Sequence, residues 1–424
     1  MLALVAVVPA GLLLRRFPRF LPVAYFAIGI APFFNMEALS LSFFYDYDLT
    51  IDFRGETRGL EITILDLVAW ITLVALGRGR YPSPFAKARW FYVLMLFASV
   101  LWATLPIYAL FSIAKVLRAY VVLRVVSRAM EDPRSGPHFV RGLAWGALWA
   151  FSIAVRQRFA EGLPRVFGPF PHPNTFAMAI NVVFAVAFAI VLSGRGKLFA
   201  AVVTGGAVVS VILTLSRASL ILTVGAAVLL VAVSMRRGVT KRKLLIIGGG
   251  MAAGAVVFAV TARAIVDRFL NAPAISAEAR ELFNRAARMM LEDRPLGIGL
   301  NNFSYVLKNG GYATKVGLPE VDADGIAHNI YWLTLAELGV QGLIAYVVMI
   351  LGPVVLAFRT AWRRGQAVGA DVALGLGVGL VTLHLQGFSE WAIRQSTLTY
   401  LQWIAAGLVA GLARDAGVLR DRRG

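Results

Sequence analysis

The chain has four histidines, at positions 138, 172, 328 and 384, and no cysteine. His328 stands in Ala327-His328-Asn329-Ile330-Tyr331, immediately ahead of a long apolar run. A neutral imidazole at the border between water and apolar surroundings can accept a proton from an attacking hydroxyl, the work of a general base. Arg217, Arg280 and Arg294 can reach the same mouth if the polar segment before His328 folds back over it. Guanidinium groups there would hold a departing diphosphate through charge-assisted bonds. The chemistry this set suits is group transfer from a lipid diphosphate, with arginines in place of the usual divalent ion. The plainer reading of the same residues is a His-Asn helix start with solvated arginines.

Other ionisable residues carry two readings each. Arg217, in Leu215-Ser216-Arg217-Ala218-Ser219, separates two apolar runs with almost no loop. It is either a clamp on an anionic group or an interfacial arginine reaching for headgroups. Arg156 and Arg158 close a helix facing the loop Gly168-Pro-Phe-Pro-His172-Pro-Asn174. They either help hold an anion or snorkel. Asp66, inside an apolar run, reads as the acid of a structural ion pair with an arginine of a neighbouring helix. Lys115, Arg118 and Arg124 mark either an interfacial helix or a lipid-phosphate contact. His138 reads as solvated, and His384 as packed between helices. No His-x-x-x-His or Glu-x-x-His pattern is present, so neither a zinc nor a di-iron site is expected. No Walker-type loop occurs, and no cofactor is expected. Asp46-Tyr-Asp48 is a weak acidic pair on a loop.

The elements that must position these groups are membrane helices. Of 424 residues 59% are hydrophobic and 15% charged, well under the roughly 25% of soluble domains. Apolar runs predict helices near 20–36, 59–77, 88–104, 106–126, 142–156, 174–192, 198–214, 218–234, 244–262, 331–358, 369–387 and 396–413. Residues 1–14 read as a short first membrane segment rather than a cleaved leader. The net charge of +19 is spread over short basic clusters between the runs. That distribution speaks for lipid headgroups and topology, not for nucleic acid. The clusters at 78–89, 128–141, 195–197, 236–243, 359–364 and 414–423 fall at alternate loops, which makes them cytoplasmic. Loops 37–58, 157–173, 215–217, 263–330 and 388–395 then face outward. Three parts follow: helices over 1–262, an extramembrane segment over 263–330, and helices with a cytoplasmic tail over 331–424. Within the middle part, Ser276 to Met290 has the pattern of an amphipathic helix.

His328-Asn329, nine intervening residues, then Gly339-Val340-Gln341-Gly342 resembles the His-[Asn/Ser/Gln]-x9-Gly-x-x-[Gly/Thr] signature of bacterial O-antigen ligases. Three further features are similar to that superfamily: Ser216-Arg217 between helices, Phe167-Gly168 to Pro173-Asn174-Thr175-Phe176-Ala177 ahead of a helix, and Arg280 with Arg294-Pro295-Leu296-Gly297-Ile298-Gly299-Leu300-Asn301-Asn302-Phe303. The resemblance runs from about residue 160 to 400 by motif and is carried by helix layout elsewhere. It implies an all-α integral membrane protein with about twelve transmembrane helices, a glycosyltransferase of the GT-C type with one large periplasmic loop in the bacterial inner membrane. The donor it implies is an undecaprenyl-diphosphate-linked glycan, and the acceptor is lipid A-core. His328 takes the family's role of base in an inverting, metal-independent attack. Arg217 and Arg280 take the roles of its diphosphate-binding arginines. Arg294 and Arg156 join them by position, with Asn329, His172 and Asn174 in support. Pro169-Phe-Pro-His172 departs from the simpler turn common in the family, which leaves the role of His172 open. An O-antigen polymerase or a protein O-oligosaccharyltransferase shares the donor chemistry. Outside enzymes, the alternative is a lipid-glycan transporter or flippase, which would predict paired broken helices in corresponding halves and charges spread along a path through the membrane. The sequence shows no clear internal repeat, and its strongest charges cluster toward the outer face.

Overall fold

The computed structural model describes residues 2–34, 40–43, 55–194, 198–252, 254, 259, 274–364 and 367–419. The described chain is helical apart from two short strands. In order, the helices are α1 (Leu2–Val5), α2 (Val7–Arg16), α3 (Leu21–Ile30), α4 (Ile64–Leu76), α5 (Ala86–Ser99), α6 (Pro106–Ala129) and α7 (Gly136–Phe159). Then come α8 (Pro173–Leu192), α9 (Leu198–Thr214), α10 (Arg217–Arg236), α11 over 241–252, and α12 (Ala274–Asp293). The remainder are α13 (Phe303–Asn309), α14 (Tyr312–Val316), α15 (Ile330–Arg364), α16 (Val368–Gln386) and α17 (Ser396–Asp415). Asp46, Asp48, Asp52, Arg195, Lys197, Arg420, Arg422, Arg423 and most of 253–273 lie outside the described residues.

Among the described residues, six helices are long and apolar enough to cross a membrane. They are Pro133–Phe159, Pro173–Leu192, Arg217–Arg236, Ile330–Arg363, Gly369–Gln386 and Ser396–Asp415. Pro18–Phe33, Ile64–Leu76 and Leu198–Thr214 are apolar but shorter. α6 has the length to span but carries Lys115, Arg118, Arg124 and Arg128.

The run expected as a helix over 59–77 begins instead as a strand. Leu60–Thr63 pairs antiparallel with Ser40–Phe43, Ser40 opposite Thr63. The helix starts at Ile64 because Thr63 and Asp66 cap it reciprocally: Thr63 Oγ1 accepts from the Asp66 amide, and Asp66 accepts from the Thr63 amide. Asp66 also meets Arg118 of α6 at 2.5 Å and accepts from the Tyr400 hydroxyl at 2.8 Å. The structural ion pair expected of Asp66 is present. Lys115 and Arg118 are therefore not lipid contacts or interfacial residues. Both are buried, Lys115 donating to the Arg394 carbonyl at 2.6 Å.

α15 is bent at Gly339, whose φ of 70° breaks the helical path. A bend removes intrahelical partners from the carbonyls before it, and these must bond elsewhere. The turn after α12 supplies them: the Ile298 amide donates to the Ala336 carbonyl at 2.9 Å, and the Gly299 amide to the Glu337 carbonyl at 3.0 Å. The approach is so close that a Cβ on Gly297 (φ +96°) would sit 2.4 Å from the Glu337 oxygen. Asn301 and Asn302 complete the clasp, accepting from the Glu56 and Leu105 amides at 2.8 and 2.6 Å. The glycine-rich motif thus locks the C-terminal end of α12 onto α15 at Ala336 and Glu337, about two turns beyond the start of that helix.

Candidate active site

His328 stands two residues before α15, and Asn329 caps that helix, its Oδ1 accepting from the Tyr331 and Trp332 amides. The His328 ring meets Phe283 of α12 edge-on at 6.4 Å. Its Nδ1 lies 3.5 Å from Oε2 of Glu390, a buried carboxylate on the loop between α16 and α17. Nδ1 is enclosed and makes no hydrogen bond to any described residue, so its approach to Glu390 is a contact of charge at 3.5 Å, whereas the side chain as a whole is 38% exposed. The open side of the ring is therefore the Nε2 side.

Glu390 is the meeting point of the site. Its Oε1 accepts from Arg280 of α12 at 3.2 Å and from the Asn174 amide group of α8 in a short hydrogen bond. Its backbone oxygen, with that of Gly387, accepts from the Ile330 amide at the start of α15. One residue thus ties together α8, α12, α15 and its own loop. Burial alone would push the Glu390 carboxyl up, but His328, Arg280 and His172 together hold it below the usual carboxylate range.

His172 is the N-cap of α8, its Nδ1 accepting from the Asn174 amide at 3.2 Å. Burial, reinforced by the positive neighbours Arg165, His328 and Arg280, lowers its pKa against the pull of Glu390. Arg165 enters the same neighbourhood. Its Nε donates to the Thr214 carbonyl at 3.1 Å, and a terminal nitrogen lies 3.5 Å from Oδ1 of Asn174. Arg165 thereby fastens the turn ahead of α10 to the start of α8.

Arg217 opens α10 and makes no hydrogen bond or ion pair to any described residue. Its helix is tied to the site loop through Ser219, whose hydroxyl donates to Gln386 at 2.7 Å, four residues before Glu390. α8, α10 and α15 therefore all present their N-termini toward this loop, and the positive ends of three helix dipoles favour an anion there.

Two of the expected arginines stand elsewhere. Arg294 follows the last residue of α12, fourteen residues from Arg280, about 21 Å along a helix. It is exposed, with Thr104 as its side-chain partner at 3.3 Å. Arg156 is exposed and paired with Glu161 at 2.9 Å. Its neighbour Gln157 points inward and holds the Phe167-Gly168 turn through both amides. The structure thus gathers His328, Arg280, His172 and Asn174, sets Arg217 at the edge, uses Asn329 as a cap, and leaves Arg294 and Arg156 outside. Sequence reasoning missed Glu390 and Arg165. The one available signal for Glu390 was an acid on a short loop expected to face outward.

These features define a multi-pass helical membrane protein with a histidine–carboxylate–arginine site at the mouths of its helices. The O-antigen ligase family model matches residues 199–347, and over that stretch the resemblance to the O-antigen ligase superfamily holds. The match takes in Arg217, Arg280, Arg294 and His328, and leaves Asn174 and Glu390 outside it. A search of the curated proteins gave no match.

Proposed function

We propose that this protein transfers a glycan from an undecaprenyl-diphosphate donor onto lipid A-core at the periplasmic face of the bacterial inner membrane. The observation that carries the reading is the convergence of His328, with its open Nε2, and Arg280 on a single buried carboxylate. In this reading Nε2 of His328 takes the proton of the acceptor hydroxyl. The freed oxygen attacks the anomeric carbon from the face opposite the phosphate, and the carbon–oxygen bond to the diphosphate breaks with inversion. The electron pair leaves on the diphosphate, whose charge Arg217, Arg280 and the three helix N-termini receive. The proton then passes from the imidazolium to the diphosphate or to water. Arg294 and Arg156 have no place in this scheme. About twelve spans and a GT-C arrangement belong to the same proposal, with 263–330 as its periplasmic segment.

The test is transfer by purified full-length protein in detergent, with the lipid-linked glycan as donor, lipid A-core as acceptor and excess chelator present. Wild type should transfer in chelator, and His328→Ala should not. Elongation of the donor without transfer to lipid A-core would make the protein a polymerase. No product of either kind would leave a transporter as the reading to pursue.

A further inference from the structure

We propose that Glu390 is the positioning residue of this site, orienting His328 as a base and exchanging Arg280 with the donor's diphosphate. The proposal rests on the transfer reading above. Its first half follows from geometry. A histidine can act as a base through Nε2 only if its proton resides on Nδ1, and a carboxylate beside Nδ1 enforces that tautomer. Glu390 Oε2 is that carboxylate, 3.5 Å from Nδ1, while Nε2 is left on the open side. Once Nε2 has taken the acceptor's proton, the imidazolium faces a full negative charge. Glu390 from its loop and Phe283 from α12 face the ring, with His172 close by, Arg280 of α12 on the far oxygen of Glu390, and Arg165 beside His172 and Asn174. Glu390 is the only carboxylate in this set, so it alone offsets two arginines that would otherwise disfavour the imidazolium.

The second half follows from the sharing of Glu390. Oε1 receives Arg280 and Asn174, and Oε2 faces His328. Arg280 is 35% exposed whereas Glu390 is 3% exposed, so the arginine is the partner free to turn outward. A diphosphate that draws Arg280 away removes one cation from Glu390 and leaves its charge more fully to His328. Donor binding then leaves the Glu390 charge to face the imidazolium that forms when the acceptor's proton is taken. The hydrogen bond from Asn174 holds the carboxylate in place during the exchange.

Two measurements on the full chain test this. With only four histidines, the imidazole resonances of labelled protein are few, and His328→Ala assigns the one in question. Glu390→Gln should release His328 from the Nδ1-protonated tautomer, read as a change in the nitrogen shifts of its ring. The kcat should fall about ten- to a hundredfold, part of the roughly 100- to 10,000-fold a positioned base contributes. The KM for donor should fall as well, because Arg280 no longer has a carboxylate to leave. Glu390→Asp should restore part of the kcat. An unchanged His328 tautomer in a folded Glu390→Gln protein, or a donor KM that rises with kcat constant, would overturn the proposal. Full transfer by His328→Ala would instead sink the transfer reading beneath it, so the two failures are told apart.

Discussion

Glu390 and Arg394 are four residues apart on one short loop, yet they occupy opposite electrostatic settings. Arg394 is 5% exposed. It is gripped by two acids, Glu337 at 2.7 Å and Glu56 at 3.4 Å, while its backbone oxygen accepts from Lys115. Two cations and two acids balance in that cluster, and the acids raise the arginine's pKa further against the effect of burial. Around Glu390 the balance is different. Its partners are partly exposed, a ring nitrogen is open, and Arg217 at the start of α10 has no partner among the described residues. Closed charge balance marks a device that fixes the loop. Surplus positive charge beside one carboxylate, at three helix N-termini, marks a place prepared for an anion. Both kinds of charge are buried in the same bundle, so depth alone does not separate structure from chemistry.

The comparison breaks most sharply at Arg394. Arg394→Met leaves Glu337 and Glu56 buried without their cation and should destabilise the fold by about 3–5 kcal/mol, read as a lowered unfolding midpoint in detergent. A stability unchanged by that substitution would refute the fixing role. His328→Ala should do the reverse: activity lost by roughly 100- to 10,000-fold with the unfolding midpoint within error of wild type. Gly297→Ala tests the clasp between the two regions. Its positive φ and the close Glu337 oxygen should cost about 1–3 kcal/mol and reduce transfer, since α12 carries Arg280. A full-strength Gly297→Ala enzyme would show that the clasp does not position the site.

Smaller effects sharpen the picture. The Glu390 carboxyl is held below its ordinary range. Its stabilising contacts are thus complete above that range and disappear as pH falls through the depressed value. The stability advantage of wild type over Glu390→Gln should be full near neutrality and shrink below about pH 4. A constant advantage down to the most acid conditions would argue against an ionised Glu390. Least of all, Arg156→Ala should change neither transfer nor stability by more than about 1 kcal/mol, as expected of an exposed pair.

Much of this was legible in the residues. Long apolar runs gave α8, α9, α10, α16 and α17 within two residues at each end, because a helix is the way such a run satisfies its own backbone. Asp66 was legible as a structural acid, since a lone carboxylate in an apolar run demands a cation. Lys115 was misread by a related argument. A cation in an amphipathic-looking stretch resembles an interfacial one until a carbonyl from residue 394 is brought to it. The start of α4 was missed because its limit is a Thr63–Asp66 side-chain exchange rather than a change in hydropathy.

The sequence by itself determined that apolar helices dominate this chain, that His328 stands at the head of one of them, and that glycines recur where α12 meets α15. Each is a local property of composition or spacing. Only the tertiary structure decided which charges share a site. Glu390 lies 62 residues from His328 and 110 from Arg280, and no short-range pattern links residues so far apart. Arg280 and Arg294 look alike in sequence, yet one faces a buried carboxylate and the other a threonine at the opposite end of the same helix. What separates them is which end of α12 packs beside the loop of Glu390, and packing of that kind exists only once the chain has folded.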